Sequence, residues 1–342
     1  MAPSGALAAL ASRHGLPPSP YGLLLEHCGV SDVAAWEAEG QRRLGPLAQL
    51  PGAASIRWGL WLPLFSRVLQ LLQRRERLVL GINGPIGAGK STLMAAMASL
   101  AAEAQLPLAV ASIDDAYLPW AQRQAVLAGN PFAVGRGPPG SHDVALLQQR
   151  LGDWRSGGEL VLPRFDKRLR QGQGDRSGEW RGRPQLLLLE GWLLGCQPLP
   201  PARLAEAELP AAELPWLSVW NRNLEAYQSL WQELAGLWLL LPSDWQWPRR
   251  WRYQAEARQR RASPDGESQA LAPHALDRLV RACMHSLPPR LYQEPLASAA
   301  RTEAVVVLDG QRRCIRSGPA FSAALGRQPD QASDSPSSSA TG

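Results

Sequence analysis

Five short apolar runs punctuate the chain after residue 77, and each has the length of a buried strand. They occupy residues 78–83, 108–113, 185–192, 237–241 and 304–309. Apolar runs of this length without polar alternation are typical of parallel strands that are covered on both faces. Segments rich in helix-forming residues, such as 92–98, separate them. The alternation predicts an α/β fold with a five-stranded parallel sheet and helices on both faces.

Residues 1–77 have a different, helical pattern. The clearest helix is expected to begin near Pro63, and Phe65, Val68, Leu69 and Leu72 follow at the i, i+3, i+4, i+7 spacing of one helix face. We therefore expect an N-terminal helical extension over 1–77 and a sheet domain over 78–316. Residues 317–342 are dominated by Ser, Asp, Gln and Gly and are expected to form a disordered tail.

The strongest chemical signal directly follows the first strand. It is the phosphate-loop pattern G-x-x-x-x-G-K-[ST], matched by Gly84, Pro85, Ile86, Gly87, Ala88, Gly89, Lys90 and Ser91, with Thr92 opening the next helix. Backbone N–H groups of such a loop surround phosphate oxygens, Lys90 reaches the outer phosphates, and the Ser91 hydroxyl is available to Mg²⁺. The alternative is a glycine-rich turn with an incidental Lys-Ser pair, which the flanking strand and helix disfavour.

Lysine is almost absent from the chain. Of the 36 basic residues only Lys90 and Lys167 are lysine, a bias that looks like base-composition drift. Surviving lysines are expected where a compact ammonium cannot be replaced by a planar guanidinium, so Lys167 joins Lys90 as a candidate site residue. The net charge of +6 suits either nucleic acid or an enzyme with anionic ligands and does not decide between them.

The four cysteines have no metal-type spacing, which suits a reducing compartment. The N-terminus lacks the pattern of a secretory signal, and no apolar run approaches the roughly 20 residues of a membrane span. A cytoplasmic location without a membrane partner is therefore expected.

Carboxylates stand at the ends of two predicted strands, where open parallel sheets bind ligands. Asp114 and Asp115 follow the second strand, and one of them is a candidate base, unless the pair merely caps a turn. Glu190 ends the third strand in the manner of a Walker B carboxylate and is expected near Mg²⁺. The alternative for Glu190 is a buried ion pair.

Two irregular segments carry further candidates. In residues 130–143, Arg136 is suited to bind a carboxylate and His142 a hydroxyl. The alternative there is that Ser141 or Asp143 caps the helix expected near Val144 while His142 is exposed. The next loop, 163–176, contains Arg164, Lys167 and Arg176, whose charges would ordinarily form a solvated surface.

The most basic stretch lies at 247–262 and is expected to form one helix. Its arginines are Arg249, Arg250, Arg252, Arg258, Arg260 and Arg261. They could belong to a phosphate-clamping lid, a nucleic-acid patch or a solvated helix face. The lid is favoured because phosphoryl transfer needs arginines that neutralise the moving group, and Arg252 is assigned to the nucleotide.

Eight segments in this order resemble D-glycerate 3-kinases of the plant and cyanobacterial type, over residues 78–309. They are G-P-I-G-A-G-K-S-T, S-I-D-D-A-Y-L, R-G-P-P-G-S-H-D, P-R-F-D-K, G-D-R, L-L-L-E-G-W, N-x-N-L-E-A-Y and R-W-R-x-Q-A-E. The resemblance implies a phosphate-loop kinase fold, like that of uridine kinase, pantothenate kinase and phosphoribulokinase. It also implies transfer of the ATP γ-phosphoryl group to the 3-hydroxyl of D-glycerate, with ATP and Mg²⁺ as cofactors.

By position, Lys90, Ser91, Asp114 and Glu190 match the family's phosphate, Mg²⁺, base and Walker B residues. The candidates on the substrate side are Asp115, Tyr117, Arg136, His142, Arg164, Lys167 and Arg176. Glycerate brings a carboxylate, and the sequence cannot rank Arg136, Arg164 and Arg176 as the residue that binds it. Ala116 departs from the family pattern, in which Phe is usual. The expected partner is a small molecule, without nucleic acid, and the chain is expected to be a monomer. Alternatives are a kinase for pantothenate or a nucleoside, or a phosphate-loop ATPase that switches a partner or binds nucleic acid.

Overall fold

The computed structural model describes residues 5–262 and 272–321. The strands within these residues are β1 (Leu78–Asn83), β2 (Leu108–Ser112), β3 (Leu160–Asp166), β4 (Asp175–Gly182), β5 (Leu186–Gly191), β6 (Leu234–Pro242), β7 (Thr302–Leu308) and β8 (Cys314–Pro319). Six of them form one sheet in the order β2-β5-β1-β6-β7-β8, and β3 pairs with β4 alone. The first five strands of the large sheet are parallel, as predicted.

The helices surround this sheet. In the described residues they are α1 (Gly5–Arg13), α2 (Pro18–His27), α3 (Val33–Leu44), α4 (Ala54–Ile56), α5 (Leu62–Leu72), α6 (Lys90–Glu103), α7 (Trp120–Val126), α8 (Val144–Arg155), α9 (Pro201–Leu204), α10 (Leu214–Asn223), α11 (Gln228–Gln232), α12 (Trp247–Ala262), α13 (Pro273–Ser286) and α14 (Pro289–Tyr292). A π-helical segment, Arg57–Trp61, joins α4 to α5. Short 3₁₀ segments lie at Ile113–Ala116, Leu224–Tyr227 and Glu294–Ser298.

The sixth strand of the sheet was not predicted. β8 runs antiparallel to β7, with Val306 opposite Ser317. Ser317, Gly318 and Pro319 are therefore part of the sheet, and the expectation that the tail begins at residue 317 is wrong for them. The predicted tail from residue 322 onward lies outside the described residues.

The strand register brings the predicted chemical groups to one edge. Ser112 at the end of β2 lies opposite Glu190 on β5, and Asn83 at the end of β1 lies opposite Gly191. Because these strands are parallel neighbours, the phosphate loop, the segment of Asp114 and Glu190 leave the sheet side by side. This is the edge at which open parallel sheets bind ligands.

Two apolar cores flank the sheet, and successive residues of β1 point into opposite ones. Val79 faces one core, and Leu80 faces the other. The second core also contains Leu10, Tyr21 and Leu64 of the N-terminal extension, each almost inaccessible to solvent. The predicted helices of 1–77 are thus present within the described residues, and they cover one face of the sheet.

Residues 163–176, expected to form a loop, contain most of a β-hairpin. β3 and β4 are antiparallel, from Leu160 opposite Gly182 to Asp166 opposite Asp175, with an irregularity between Arg164 and Phe165. Leu160 and Leu162 bury one end of the hairpin in the core. Its other end carries Lys167 toward the ligand-binding edge.

No helix in the described parts of the chain is both long and apolar enough to span a lipid bilayer.

Candidate active site

The phosphate loop has the backbone conformation that its glycines permit. Gly87 has φ 80° and Gly89 has φ 92°, both in the left-handed region. A Cβ atom on Gly87 would also lie 2.8 Å from the Cβ of Trp251 and 3.0 Å from the backbone nitrogen of Arg252. The loop therefore packs directly against α12, and it ends where α6 begins at Lys90.

Lys90 occupies a narrow polar pocket. Its Nζ donates to the carbonyl oxygens of Gly84 at 2.8 Å and Pro85 at 3.1 Å, and lies 3.9 Å from Oε2 of Glu190. Glu190 itself is buried. Burial raises the pKa of Glu190, and the nearby ammonium of Lys90 opposes that rise. The pair places a cation and a carboxylate at the base of the loop.

Asp114 is surrounded by donors. The Tyr117 hydroxyl donates to Oδ1 at 2.8 Å, the Lys167 ammonium lies 3.2 Å from Oδ2, and Nε2 of His142 lies 3.8 Å from Oδ1. Partial burial alone would raise the pKa of Asp114. The Lys167 charge and the groups of His142 and Tyr117 outweigh burial and hold this pKa well below its usual range. Asp114 is consequently ionised at neutral pH.

His142 is held by Tyr227, which was not predicted as a site residue. The hydroxyl of Tyr227 accepts from the Gly140 N–H at 3.0 Å and lies 2.8 Å from Nδ1 of His142. The hydroxyl can satisfy both contacts by donating to Nδ1, which leaves the imidazole proton on Nε2, facing Asp114. Tyr227 ends the N-x-N-L-E-A-Y segment of the family resemblance, which was the available signal.

The alternative in which His142 is exposed is wrong, because only 4% of the residue is accessible to solvent. Burial lowers the pKa of His142 and so favours the neutral imidazole, although the Asp114 carboxylate opposes this shift. The other part of that alternative is confirmed: Asp143 caps α8 by accepting from the Leu146 N–H at 3.1 Å.

Three predicted substrate residues bind the protein itself. Asp115 accepts weakly from the Phe165 N–H at 3.4 Å and lies 3.6 Å from Nη1 of Arg164. Burial raises the pKa of Asp115, and Arg164 opposes the rise. Arg176 donates to Asp143 at 2.7 Å and to the Tyr117 carbonyl at 3.0 Å. These contacts fasten the hairpin to the end of β2.

One cavity of about 550 Å³ unites most of the remaining candidates. Those on its wall are Ile86, Gly87, Ala88, Gly89, Lys90, Ser91, Thr92, Asp114, Tyr117, Arg136, Lys167, Glu190 and Arg252. The candidates that are not among the described residues of this wall are Gly84, Pro85, Asp115, His142, Arg164 and Arg176. Of the three arginines that the sequence could not rank, Arg136 alone lines the cavity, and its Nη1 donates to the carbonyls of Gly172 and Gln173, each at 2.8 Å.

The basic helix α12 lies along the same cavity and matches the predicted range 247–262. Arg252, which pairs with buried Glu256, and Arg258 both line the cavity, whereas Arg249 pairs with Asp277 instead. An arginine that sequence reasoning missed, Arg312, fastens this helix to the loop. It donates to the Gly87 carbonyl at 2.8 Å and to the Trp251 carbonyl at 2.7 Å.

Comparison with known proteins shows the family to which the chain belongs. No protein-family model matches the chain. The chain is 33% identical over 252 residues to the protein named D-glycerate 3-kinase, chloroplastic, of Arabidopsis thaliana, a match that covers 70% of this chain and 54% of that protein. It is 32% identical over 214 residues to the uncharacterized kinase mug58 of Schizosaccharomyces pombe, covering 56% of this chain and 76% of that protein. The chain belongs to the family of phosphate-loop kinases that includes D-glycerate 3-kinase.

The chain spans about half the length of its plant relative. A solved structure named D-glycerate 3-kinase from Cryptococcus neoformans var. grubii has a TM-score of 0.64 with it at 24% identity, over 79% of this chain and all of that one. At this identity the similarity shows the fold alone. The shared fold confirms the predicted phosphate-loop kinase architecture.

The residues of the cavity fit a nucleoside triphosphate with Mg²⁺. The left-handed glycines turn backbone N–H groups inward, and Lys90 is held at the loop by neutral carbonyls. No group of three or more His, Cys, Asp or Glu with metal-binding geometry occurs in residues 5–262 or 272–321. Mg²⁺ does not require one, because it binds to one or two protein oxygens together with phosphate oxygens and water. Ser91 and Glu190 supply suitable oxygens at the cavity wall.

Proposed function

We propose that this kinase transfers the γ-phosphoryl group of ATP to the 3-hydroxyl of D-glycerate, giving 3-phospho-D-glycerate and ADP. The observation that carries the proposal is one cavity lined by the phosphate loop, an ionised aspartate and an arginine of the substrate loop. The name of the plant relative supports the choice of acceptor. The proposal includes a cytoplasmic monomer with no nucleic-acid or membrane partner.

Each part of the substrate pair has a complementary group. The loop N–H groups and Lys90 bind the phosphates, and Arg252 and Arg258 add positive charge from α12. Arg136 has the planar donor geometry that binds a carboxylate through two hydrogen bonds, and glycerate brings one carboxylate. Mg²⁺, held by Ser91 and Glu190, would neutralise charge on the phosphate oxygens when bound.

Asp114 is the proposed base. The glycerate oxygen forms a bond to the γ-phosphorus, the bond from that phosphorus to the bridging oxygen of ADP breaks, and the hydroxyl proton moves to Asp114. A carboxylate with a strongly lowered pKa is a weak base, which suits a loose transition state in which the proton leaves late. Tyr117, His142 and Lys167 hold Asp114 at the cavity.

The acceptor is tested directly with the wild-type protein. We expect ADP to be released from ATP and Mg²⁺ only when D-glycerate is present. A coupled ADP assay would compare D-glycerate, L-glycerate, pantothenate, uridine and ribulose 5-phosphate. Activity confined to another acceptor would refute the proposal, and ATP hydrolysis that is indifferent to all acceptors would favour an ATPase switch.

Replacement of Arg136 by Lys is expected to raise KM for D-glycerate by about 10-fold or more and to leave KM for ATP within about 2-fold. A lysine keeps the charge but loses the paired donors. The matched control is Arg168→Lys. Arg168 lies in the hairpin turn that Arg136 contacts, but it is exposed and pairs with Asp166. Equal KM values for D-glycerate in the two variants would exclude Arg136 as the carboxylate-binding residue.

A further inference from the structure

The N-terminal extension contributes to the nucleotide cavity. Six of its residues line that cavity together with the phosphate loop, namely Pro51, Gly52, Ala53, Ile56, Leu60 and Trp61. All six precede residue 78, where the segments that resemble the D-glycerate 3-kinases begin. The extension is therefore placed to act on the ligand.

This part of the wall differs chemically from the rest. None of the six side chains carries a charge, whereas Lys90, Arg252, Arg258 and Arg312 line the same cavity. An uncharged, apolar wall gives no favourable contact to phosphate oxygens, but it suits the face of an aromatic ring. In a nucleoside triphosphate the base is the one group with such a face.

The wall is held rigidly against the edge of the sheet. Ser55 accepts from the Cys314 N–H at 3.1 Å, and Tyr21 donates to the Trp58 carbonyl at 2.8 Å. A Cβ atom on Gly59 would lie 2.6 Å from the sulfur of Cys314, so the π-helical segment Arg57–Trp61 packs closely on β8. π-helical turns of this kind occur frequently at functional sites.

The loop before α4 is fixed in the same way. Arg57 donates to the Leu50 carbonyl at 2.9 Å, and its guanidinium lies 5.6 Å from the centre of the Trp61 ring. A Cβ atom on Gly52 would lie only 3.1 Å from Ile56 and from the Trp61 ring. A surface already ordered before binding loses little conformational entropy when a ligand packs on it.

The apolar wall has a neighbour on the same cavity in the turn between β7 and β8. Gln311 and Arg312 line the cavity there, and Arg312 also binds the Gly87 carbonyl of the phosphate loop. A ligand whose phosphates lie in the loop thus has the Arg312 guanidinium and the apolar wall within one continuous cavity. Guanidinium planes and apolar side chains are the usual partners of a stacked base.

We infer that the N-terminal extension forms the base-binding wall of the nucleotide site, against which the purine ring of ATP packs. The inference rests on the proposed function only in taking ATP as the nucleotide. It assigns residues 51–61 a direct role in nucleotide affinity, separate from the binding of the phosphates.

The test compares two neighbouring alanines in the full chain. Ala53 lines the cavity, whereas Ala54 is exposed and is not on its wall. We expect Ala53→Phe to raise the Kd for ATP by about 10-fold or more, because the ring occupies the space of the base. The Kd for inorganic tripolyphosphate, which has no base, should stay within about 2-fold, and Ala54→Phe should change neither value.

Calorimetric titration of the wild type and both variants gives all six constants without D-glycerate. A wild-type protein that binds ATP but does not phosphorylate glycerate would therefore refute the proposed function alone. Unchanged ATP affinity in Ala53→Phe would overturn the inference. Equal losses for ATP and tripolyphosphate would also overturn it, since the segment would then only support the loop. Should Ala53→Phe fail to fold, Ala53→Gln carries the same test with a smaller polar side chain.

Discussion

Replacement of Asp114 by Asn is expected to lower kcat for D-glycerate phosphorylation by about 10²- to 10⁴-fold, the usual contribution of a general base. Asn keeps the size of the side chain and accepts the Tyr117 hydrogen bond, but it cannot take the hydroxyl proton. ATP affinity, measured by titration, should change little because the phosphates are bound by the loop and Lys90.

Asp115→Asn is the matched control. Asp115 faces Arg164 and the Phe165 backbone and is absent from the described wall of the cavity. Its replacement should loosen the hairpin and raise KM for D-glycerate, with kcat within a few fold of wild type. A collapse of kcat in Asp115→Asn with normal turnover in Asp114→Asn would reverse the two roles.

The pH profile provides a further check on the same residue. Because the folded-state pKa of Asp114 lies well below its usual range, this group stays ionised as the pH falls through the range where free aspartate is protonated. An acid limb of kcat/KM should instead follow groups whose pKa is raised, such as Glu190. Glu190→Gln should therefore shift that limb.

Replacement of Lys90 by Arg is expected to lower kcat/KM by at least about 10²- to 10³-fold, comparable with the loss of one donor to a transition-state oxygen. The side chain is 12% exposed, and its pocket consists of two carbonyl oxygens and Glu190. A planar guanidinium is too large for a site built around one ammonium group.

Lys167→Arg should be much milder, within about 10-fold of wild type, because 59% of the Lys167 side chain is exposed and a guanidinium has room to reach Asp114. The scarcity of lysine alone predicts the same loss at both positions. Steady-state kinetics of the two variants separate these views. If Lys90→Arg kept normal kcat/KM, the ammonium pocket would have no catalytic role.

The local pattern predicted the parts of the site that one segment builds by itself. The run before the phosphate loop coincides with β1, and the loop glycines have the expected conformation. β8 was missed because its sequence, CIRSGP, has no apolar run, and its pairing with β7 stabilises it instead. β4 was missed for a similar reason, since most of its residues are exposed or polar.

Contacts between distant segments could not be predicted. Arg136, Arg164 and Arg176 look alike in sequence, and they differ only in which carbonyl or carboxylate the folded chain brings to each. Arg312 is one of several arginines near the end of the chain, and its role depends on a turn that meets the loop from 225 residues away. Such roles are encoded by the tertiary fold.

The apolar core shared by the extension and the sheet sets how the protein unfolds. Leu10, Tyr21 and Leu64 cover the face of the sheet that bears Leu80 and Val306. A fragment that starts at residue 78 would expose this face to water, at a cost of about 1.5–3 kcal/mol for each large side chain uncovered. Such a fragment would be prone to aggregate, so the sheet domain is not a separable module. Heat or denaturant should disrupt both regions in one cooperative transition.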